Sequence, residues 1–242
     1  MDKLTLPVHL KDVTDNVLKT LGNKRVQDVL ERRFGFKDGR RQTLESIGQK
    51  YNITRERVRQ IEENGLSQLV KFGAQDMARP VVAAVANHLA QNGEISEERR
   101  FFDAVADRKY HPHLHFVLAL AGKLAKQPET DIHHDRWYTK EEVRKSVEKI
   151  LDGVVAALEE TKKPVSENDL YRLLSEQARS VLGATPEKTH LDSYLSISKI
   201  IGKNPFHEYG LTHWATIHPK GVRDKAYIVL AKAGKPLHFS EI

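Results

Sequence analysis

Residues 43–69 read TLESIGQKYNITRERVRQIEENGLSQL. Two helical patterns meet in this stretch at a tight break, Tyr51-Asn52, and the second opens at Thr54 with a dense run of charged and amide side chains. At about 100° per residue, Val58, Ile61, Gly65 and Leu69 fall on one side of that helix. Arg55, Glu56, Arg59, Gln60 and Glu63 fall on the other, with Arg57 on a flank. A narrow apolar stripe backed by arginine, glutamate and glutamine is the pattern of a helix-turn-helix, whose second helix carries side chains able to meet base edges in a major groove.

The local chemistry of the turn agrees. Gly48 stands where the two helices approach most closely, and Asn52, four residues on, occupies a turn that often needs a left-handed backbone, which Asn tolerates second only to Gly. Thr54 has the side chain of an N-cap. Val58 and Ile61 are expected to pack the second helix onto the first. Upstream, apolar residues from Val13 to Leu21 and from Val26 to Phe34 recur at helical spacing around a break at Gly22-Asn23, so two helices precede the motif. The glycine-bounded loop 35–41 that follows is basic, and its Arg40 and Arg41 are placed to meet phosphates.

Phe34-Gly35, Thr43-Leu44-Glu45 with Ile47-Gly48, and above all the nonapeptide TRERVRQIE at 54–62 resemble region 4 of housekeeping-type, sigma-seventy class bacterial sigma factors. The resemblance covers roughly residues 10–72. It implies a domain that recognises the promoter −35 element and docks on the β flap of RNA polymerase. It further implies that Arg55, Glu56 and Gln60 read bases, and that Arg57 and Arg59 touch the backbone or support the readers. Thr54, Lys50, Arg40 and Arg41 complete the set of candidate DNA-binding residues. The aromatic-rich segment that melts the −10 element and the large surface that grips polymerase have no counterpart in this sequence, so the chain is not expected to open promoters alone.

Composition bounds the rest. With 242 residues, 39% hydrophobic and 30% charged, the chain suits two or three small, well-solvated helical modules. A net charge of +6 and a pI near 9.3 favour a polyanionic partner. The absence of cysteine excludes disulfides, thiolate zinc sites and cysteine nucleophiles. No signal-peptide core or apolar membrane run is present, and the expected location is the cytoplasm, with the nucleoid.

Beyond residue 76 the sequence suggests two modules of similar layout. In the first, Pro80 opens a helix through about Leu89, Ser96 starts another through Val105, residues 113–124 form a third, and 129–138 supply a strand or hairpin. In the second, Thr139 caps a long helix with the stripe Val143, Val147, Ile150, Leu151, Val154, Val155 and Leu158, which Pro164 ends. Ser166 caps a helix through Leu174, a third runs over 191–201, and 206–217 form the hairpin. Two tandem winged helices follow from that order, in a mainly α fold. The expected domains are 1–76, a sigma region 4-like helix-turn-helix, then 77–138 and 139–219, each winged-helix-like, then 220–242. That last stretch resembles the opening of a HARE-type winged helix similar to the N-terminal domain of the RNA polymerase delta subunit, with a second helix beginning at Ser240.

The stripe on the long helix spans only about two heptads and reads as core in preference to a dimerisation seam. His111, His113 and His115, and His133, His134 and Asp135, invite a metal, but alternate residues at a helix start share no face, so they read as surface and interfacial histidines. No phosphate-binding loop, dinucleotide fingerprint, zinc-protease helix or nucleophile elbow occurs. Neither catalytic residues nor a cofactor are expected. The functional expectation is a transcription regulator that binds double-stranded DNA at promoter-type sequences and contacts RNA polymerase core through its β flap. The alternatives are an adaptor that binds polymerase or another regulator, and the DNA-targeting module of a larger DNA-processing system. Lys199, Lys203, Lys220, Arg223 and Lys225, near the second hairpin, suit either DNA or protein.

Overall fold

A computed structural model of the chain describes residues 3–37, 39–235 and 238. The fold is mainly α, with two small antiparallel sheets, and the residues divide into two compact units: 1–91 with 98–125, and 92–97 with 126–242.

The first unit is helical: α1 (Leu10–Lys19), α2 (Lys24–Phe34), α3 (Leu44–Tyr51), α4 (Arg55–Lys71), α5 (Ala74–Gln91), α6 (Glu98–Val105) and α7 (His111–Ala121). The two expected helices before the motif are α1 and α2. Helices α2 and α3 start on side-chain caps and stop on left-handed residues. Asn23 accepts from the backbone N–H groups of Arg25 and Val26 at the head of α2, and Gly35, with φ +82°, closes it. α7 is different in kind, because Leu114, Phe116, Val117, Leu118 and Leu120 are buried around most of its circumference. A helix apolar on all sides must be enclosed, and α1, α2, α4 and α5 pack around it.

That packing explains why α5 and α7, expected within residues 77–138, share a core with the motif. Pro80 does not open a helix; it lies inside α5, which begins at Ala74. Proline removes one N–H donor from the ladder, but Ala74, Ala78, Val81, Val82, Val85 and Leu89 bury a continuous face that spans it. The tertiary gain outweighs the lost bond.

His113 and His133 are buried, at 8% and 6% exposure, where surface and interfacial histidines were expected. His113 stacks on Phe36 with ring centroids 4.7 Å apart and planes within 4°, and its Nδ1 has no hydrogen-bond partner among the described residues. Burial holds this imidazole below its ordinary value of 6.5, with Lys11 and His9 adding to the effect and Asp15 opposing it. The unfolded chain therefore takes up a proton near pH 6.5 that the folded chain refuses, so the stability from a neutral His113 is complete above that pH and declines as pH falls below it. Chemical denaturation at pH 7 and pH 5 is expected to show the drop, and His113→Phe, which keeps the ring stack, to reduce it. An unchanged pH slope in the variant would sink this account; His88 and His133, depressed by burial as well, contribute to the remainder.

The second unit holds a sheet of order β1-β3-β2, from β1 (Ile95–Glu97), β2 (Ala125–Gln127) and β3 (Arg136–Tyr138), in which Ile95 opposes Tyr138 and Ser96 opposes Trp137. It continues with α8 (Glu141–Thr161), α9 (Glu167–Leu182), α10 (Lys188–Ser196), the hairpin β4 (Ile201–Lys203) to β5 (Tyr209–Leu211), and α11 (Val222–Ala233). Most of the α8 stripe is core as expected: Val147, Ile150, Leu151, Val154 and Leu158 are buried, Val143 and Val155 partly so, and α8 packs on α9. Between those helices Val165 bridges to Tyr209 of β5, which pairs β4. The series α8, Val165, α9, α10, β4, β5 is the winged-helix order. The series α5, β1, α6, α7, β2, β3 repeats it, with β1-β3-β2 corresponding to Val165-β5-β4. The helices of that first series belong to the first unit, and β1 and β3 to the second.

Local details differ from expectation where strands of three residues leave no periodicity to read. Ser96 lies in β1 and the helix begins at Glu98. The strand pairing with β3 from the same hairpin is 125–127, upstream of the expected 129–138. Thr139 does not cap α8; Lys140 is its N-cap residue, and Thr139 Oγ1 donates to Glu94 Oε1 at 3.0 Å. Ser166 caps α9 as expected, but that helix runs to Leu182. α11 forms at the expected place, while the second helix start at Ser240 lies outside the described residues.

Candidate nucleic-acid interface

The motif is assembled from contacts only a few residues long. Thr43 Oγ1 accepts from Ser46 N at 3.1 Å to start α3, and Asn52, at φ 52° and ψ 49°, ends it in the expected left-handed conformation. Ile53 N then donates to the Gly48 carbonyl at 2.9 Å, and Thr54 Oγ1 accepts from Arg57 N at 3.2 Å, so α4 starts one tight turn later. A Cβ on Gly48 would stand 2.6 Å from the Ile53 carbonyl oxygen, so only glycine permits this turn. Val29, Ile47 and Val58 are fully buried together, with Leu44, Tyr51, Ile53 and Ile61 packed against them.

With that face locked, the first two turns of α4 present Arg55, Glu56, Arg57, Arg59 and Gln60 to solvent, all exposed. Arg59 is held by Glu56, through Nη2 to Oε1 at 2.6 Å and Nε to Oε2 at 3.0 Å, and also pairs with Glu63. These hydrogen bonds keep the Glu56 carboxyl below the usual range and raise the Arg59 guanidinium. Arg57 Nη1 donates to Gln60 Oε1 at 3.0 Å. Arg55 makes no side-chain hydrogen bond or ion pair among the described residues. The surface thus holds one guanidinium with no hydrogen-bonded partner among the described residues, beside a carboxylate and an amide that exposed partners occupy, and exposed pairs exchange at little cost.

The basic loop is held at its base. Gln42 N donates to the Arg32 carbonyl at 3.0 Å, and Arg33 Nη1 donates to the Gln42 carbonyl at 2.7 Å while its Nε meets Glu62 at 2.8 Å. Asp28 accepts from Arg32 Nε at 2.7 Å and also from Lys37 and Tyr51. Burial pushes this carboxyl up, but the three donors outweigh it and hold Asp28 well below the usual carboxylate range. Arg40 and Arg41 remain exposed, and Lys50 is exposed on the last turn of α3. Arg25 is absent from the expected set. It lies 4.9 Å over the Tyr51 ring and lines a polar cleft with Asn23, Arg57, Gln60 and Asn64. Its one sequence signal is its position just after the Asn23 cap, where a helix end and not a surface is announced.

Residues 18–71 match the family model for sigma-70, region 4. Over 60 residues, a quarter of this chain, the sequence is 53% identical to RNA polymerase sigma factor SigA of Microcystis aeruginosa and equally to that of Synechocystis sp.. A SigA from Bacillus sp. is 48% identical over the same length. The matched stretch spans 14% of the Microcystis and Synechocystis relatives and 16% of the Bacillus one. The region 4 stretch therefore runs from the end of α1 to the end of α4, and α5 and α7, which complete its core, lie outside it. None of these matches extends to the HARE-type resemblance at the C-terminus. Among the described residues there is no group of three metal-ligating side chains, and no helix is long and apolar enough to cross a membrane.

Proposed function

We propose that the protein is a sequence-specific DNA-binding transcription regulator whose α4 reads promoter-type, −35-like DNA in the major groove, and that the same region 4 stretch contacts RNA polymerase. The observation that carries this reading is the exposed row Arg55, Glu56, Arg57, Arg59 and Gln60 on the first two turns of a helix whose other face is locked, within a stretch matching sigma-70, region 4. Arg55 donates two hydrogen bonds to a guanine, Gln60 serves an adenine, and Glu56 accepts from a cytosine amine once Arg59 releases it for a phosphate. Thr54, Lys50, Arg40 and Arg41 contact the backbone. The names of the relatives support the polymerase contact, as each is an RNA polymerase sigma factor.

Selection of bound sequences from a random duplex pool, with and without polymerase core, tests this. The wild type is expected to enrich one motif. Arg55→Ala should cost about 1–3 kcal/mol of discrimination at one base pair, whereas Arg40→Ala should weaken all sequences alike and lower the salt slope by about 0.9. An unchanged enrichment profile after Arg55→Ala and Glu56→Ala would overturn base reading by α4. Core polymerase retained by the protein after nuclease treatment, in the absence of any enriched motif, would favour the adaptor reading.

A further inference from the structure

The positive charge of this chain is concentrated in two places. Residues 18–71 hold thirteen Lys or Arg against seven Asp or Glu, and residues 199–235 hold seven against two. The remainder holds nineteen against twenty-four and is net acidic. The first basic stretch is the region 4 motif; the second has no assigned role. It comprises β4, β5 and α11.

Within the second unit, the helix in the position from which a winged helix would enter a groove is closed. Leu191, Ser193 and Tyr194 of α10 are 3%, 2% and 5% exposed. Strand β1 lies along it: Ser193 Oγ donates to the Ile95 carbonyl at 2.5 Å, and Glu97 N donates to Ser196 Oγ at 3.3 Å. The hairpin, in contrast, is open and rigid. Asn204, 4% exposed, accepts from Phe206 N and Glu208 N at 3.0 Å each and donates from Nδ2 to the Thr216 carbonyl at 3.2 Å. His207 takes a left-handed φ of 62°, and the resulting tip presents Phe206 at 42% exposure. Helix α11 joins that surface through the Lys232 to Glu208 ion pair, with Lys232 Nζ 5.9 Å from the Phe206 ring centroid. Lys225, two turns before Lys232 on the same face, and Lys220 are exposed and make no side-chain ion pair among the described residues. Lys203, itself exposed, meets the half-buried Glu167 at 3.6 Å and lies 5.1 Å from the Tyr209 ring centroid.

We infer that the β4–β5 hairpin and the adjoining face of α11 form a second contact for duplex DNA, made to phosphates and independent of base sequence. Lys203, Lys220 and Lys225 neutralise backbone charge, and the rigid tip sets Phe206 against the groove edge. The contact supplies affinity and α4 supplies the choice of sequence. The inference requires only that duplex DNA is a ligand of the protein; it does not require base reading by α4.

The test is binding of the full chain to a duplex of arbitrary sequence across a salt series, followed by fluorescence anisotropy. The variant Lys203→Gln/Lys220→Gln/Lys225→Gln is expected to reduce the slope of log K against log salt by about 2–3 while leaving the enriched motif and the thermal melt unchanged. Arg55→Ala has the converse signature, an altered motif, so failure of either reading is distinguishable from failure of the other. Arg223→Gln, about 200° around α11 from Lys225, is expected to leave the slope within one unit of wild type. An unchanged slope in the triple variant overturns the contact, and an equal loss from Arg223→Gln overturns its placement. A triple variant that loses single-stranded RNA binding but keeps its duplex slope overturns the choice of DNA as the ligand.

Discussion

Replacing Glu148 by alanine is expected to destabilise the second unit by about 3–5 kcal/mol, the usual cost of stripping a buried charge of its partner. Arg136 is 2% exposed, and its Nη2 and Nε meet Glu148 Oε1 at 2.5 and 3.1 Å. The other carboxylate oxygen binds Arg144 Nη1 at 2.6 Å, so one side chain of α8 neutralises two guanidiniums. In Glu148→Ala, Arg136 keeps the His134 carbonyl at 3.1 Å and the Pro128 carbonyl at 3.5 Å, which satisfy donors but carry no full charge. The measurement is convenient because both tryptophans, Trp137 and Trp214, belong to this unit, so denaturant titration of their fluorescence reports it selectively. Replacing both Arg136 and Glu148 by methionine should recover most of the loss, since a buried pair and an apolar pair of similar volume differ little. A midpoint unchanged by Glu148→Ala would show that Arg136 is solvated in a way its burial denies.

Gly48→Ala is the second change with a large expected effect, and it connects stability to binding. Alanine in a helix is favoured over glycine by about 1 kcal/mol, so an open site would gain. Here the new Cβ would stand 2.6 Å from the Ile53 carbonyl oxygen, a backbone atom adjoining the Thr54 cap, and it cannot yield without moving the turn. Overpacking of this kind costs about 1–3 kcal/mol, and the strained turn redirects the first residues of α4. Both a lower melting temperature and weaker binding to the selected duplex are expected. Gly65→Ala is the comparison. Its Cβ would meet Val26 Cγ1 at 2.7 Å and Leu30 Cδ1 at 3.2 Å, side-chain atoms that can shift, so the helix gain offsets more of the strain. A greater loss from Gly65→Ala than from Gly48→Ala would refute this reasoning.

Much of the candidate site is legible in residues 43–62 because its determinants are local. The Thr43 and Thr54 caps each bond three residues ahead, and Asn52 turns on its own φ and ψ. The wheel of α4 places Val58, Gly65 and Leu69 inside and the arginine row outside, as the structure does. The engagement of Arg59 by Glu56 and Glu63 is legible too, at i−3 and i+4 on one face. The position of Arg25 beside Tyr51 was not, since it depends on how α2 crosses α3.

Taken alone, the amino-acid order determined that residues 43–69 form a helix-turn-helix, that α8 buries one stripe, and that the chain is mainly helical. These follow from backbone hydrogen bonds and side-chain periodicity within a few residues. Tertiary structure alone decided that α5 and α7 complete the core around the motif despite Pro80, and that Arg136 is buried against Glu148. It also decided that α10 is closed by a strand whose Ile95 carbonyl meets Ser193 across 98 positions. Contacts at that separation are chosen by the burial of whole faces, and no window of sequence contains both partners.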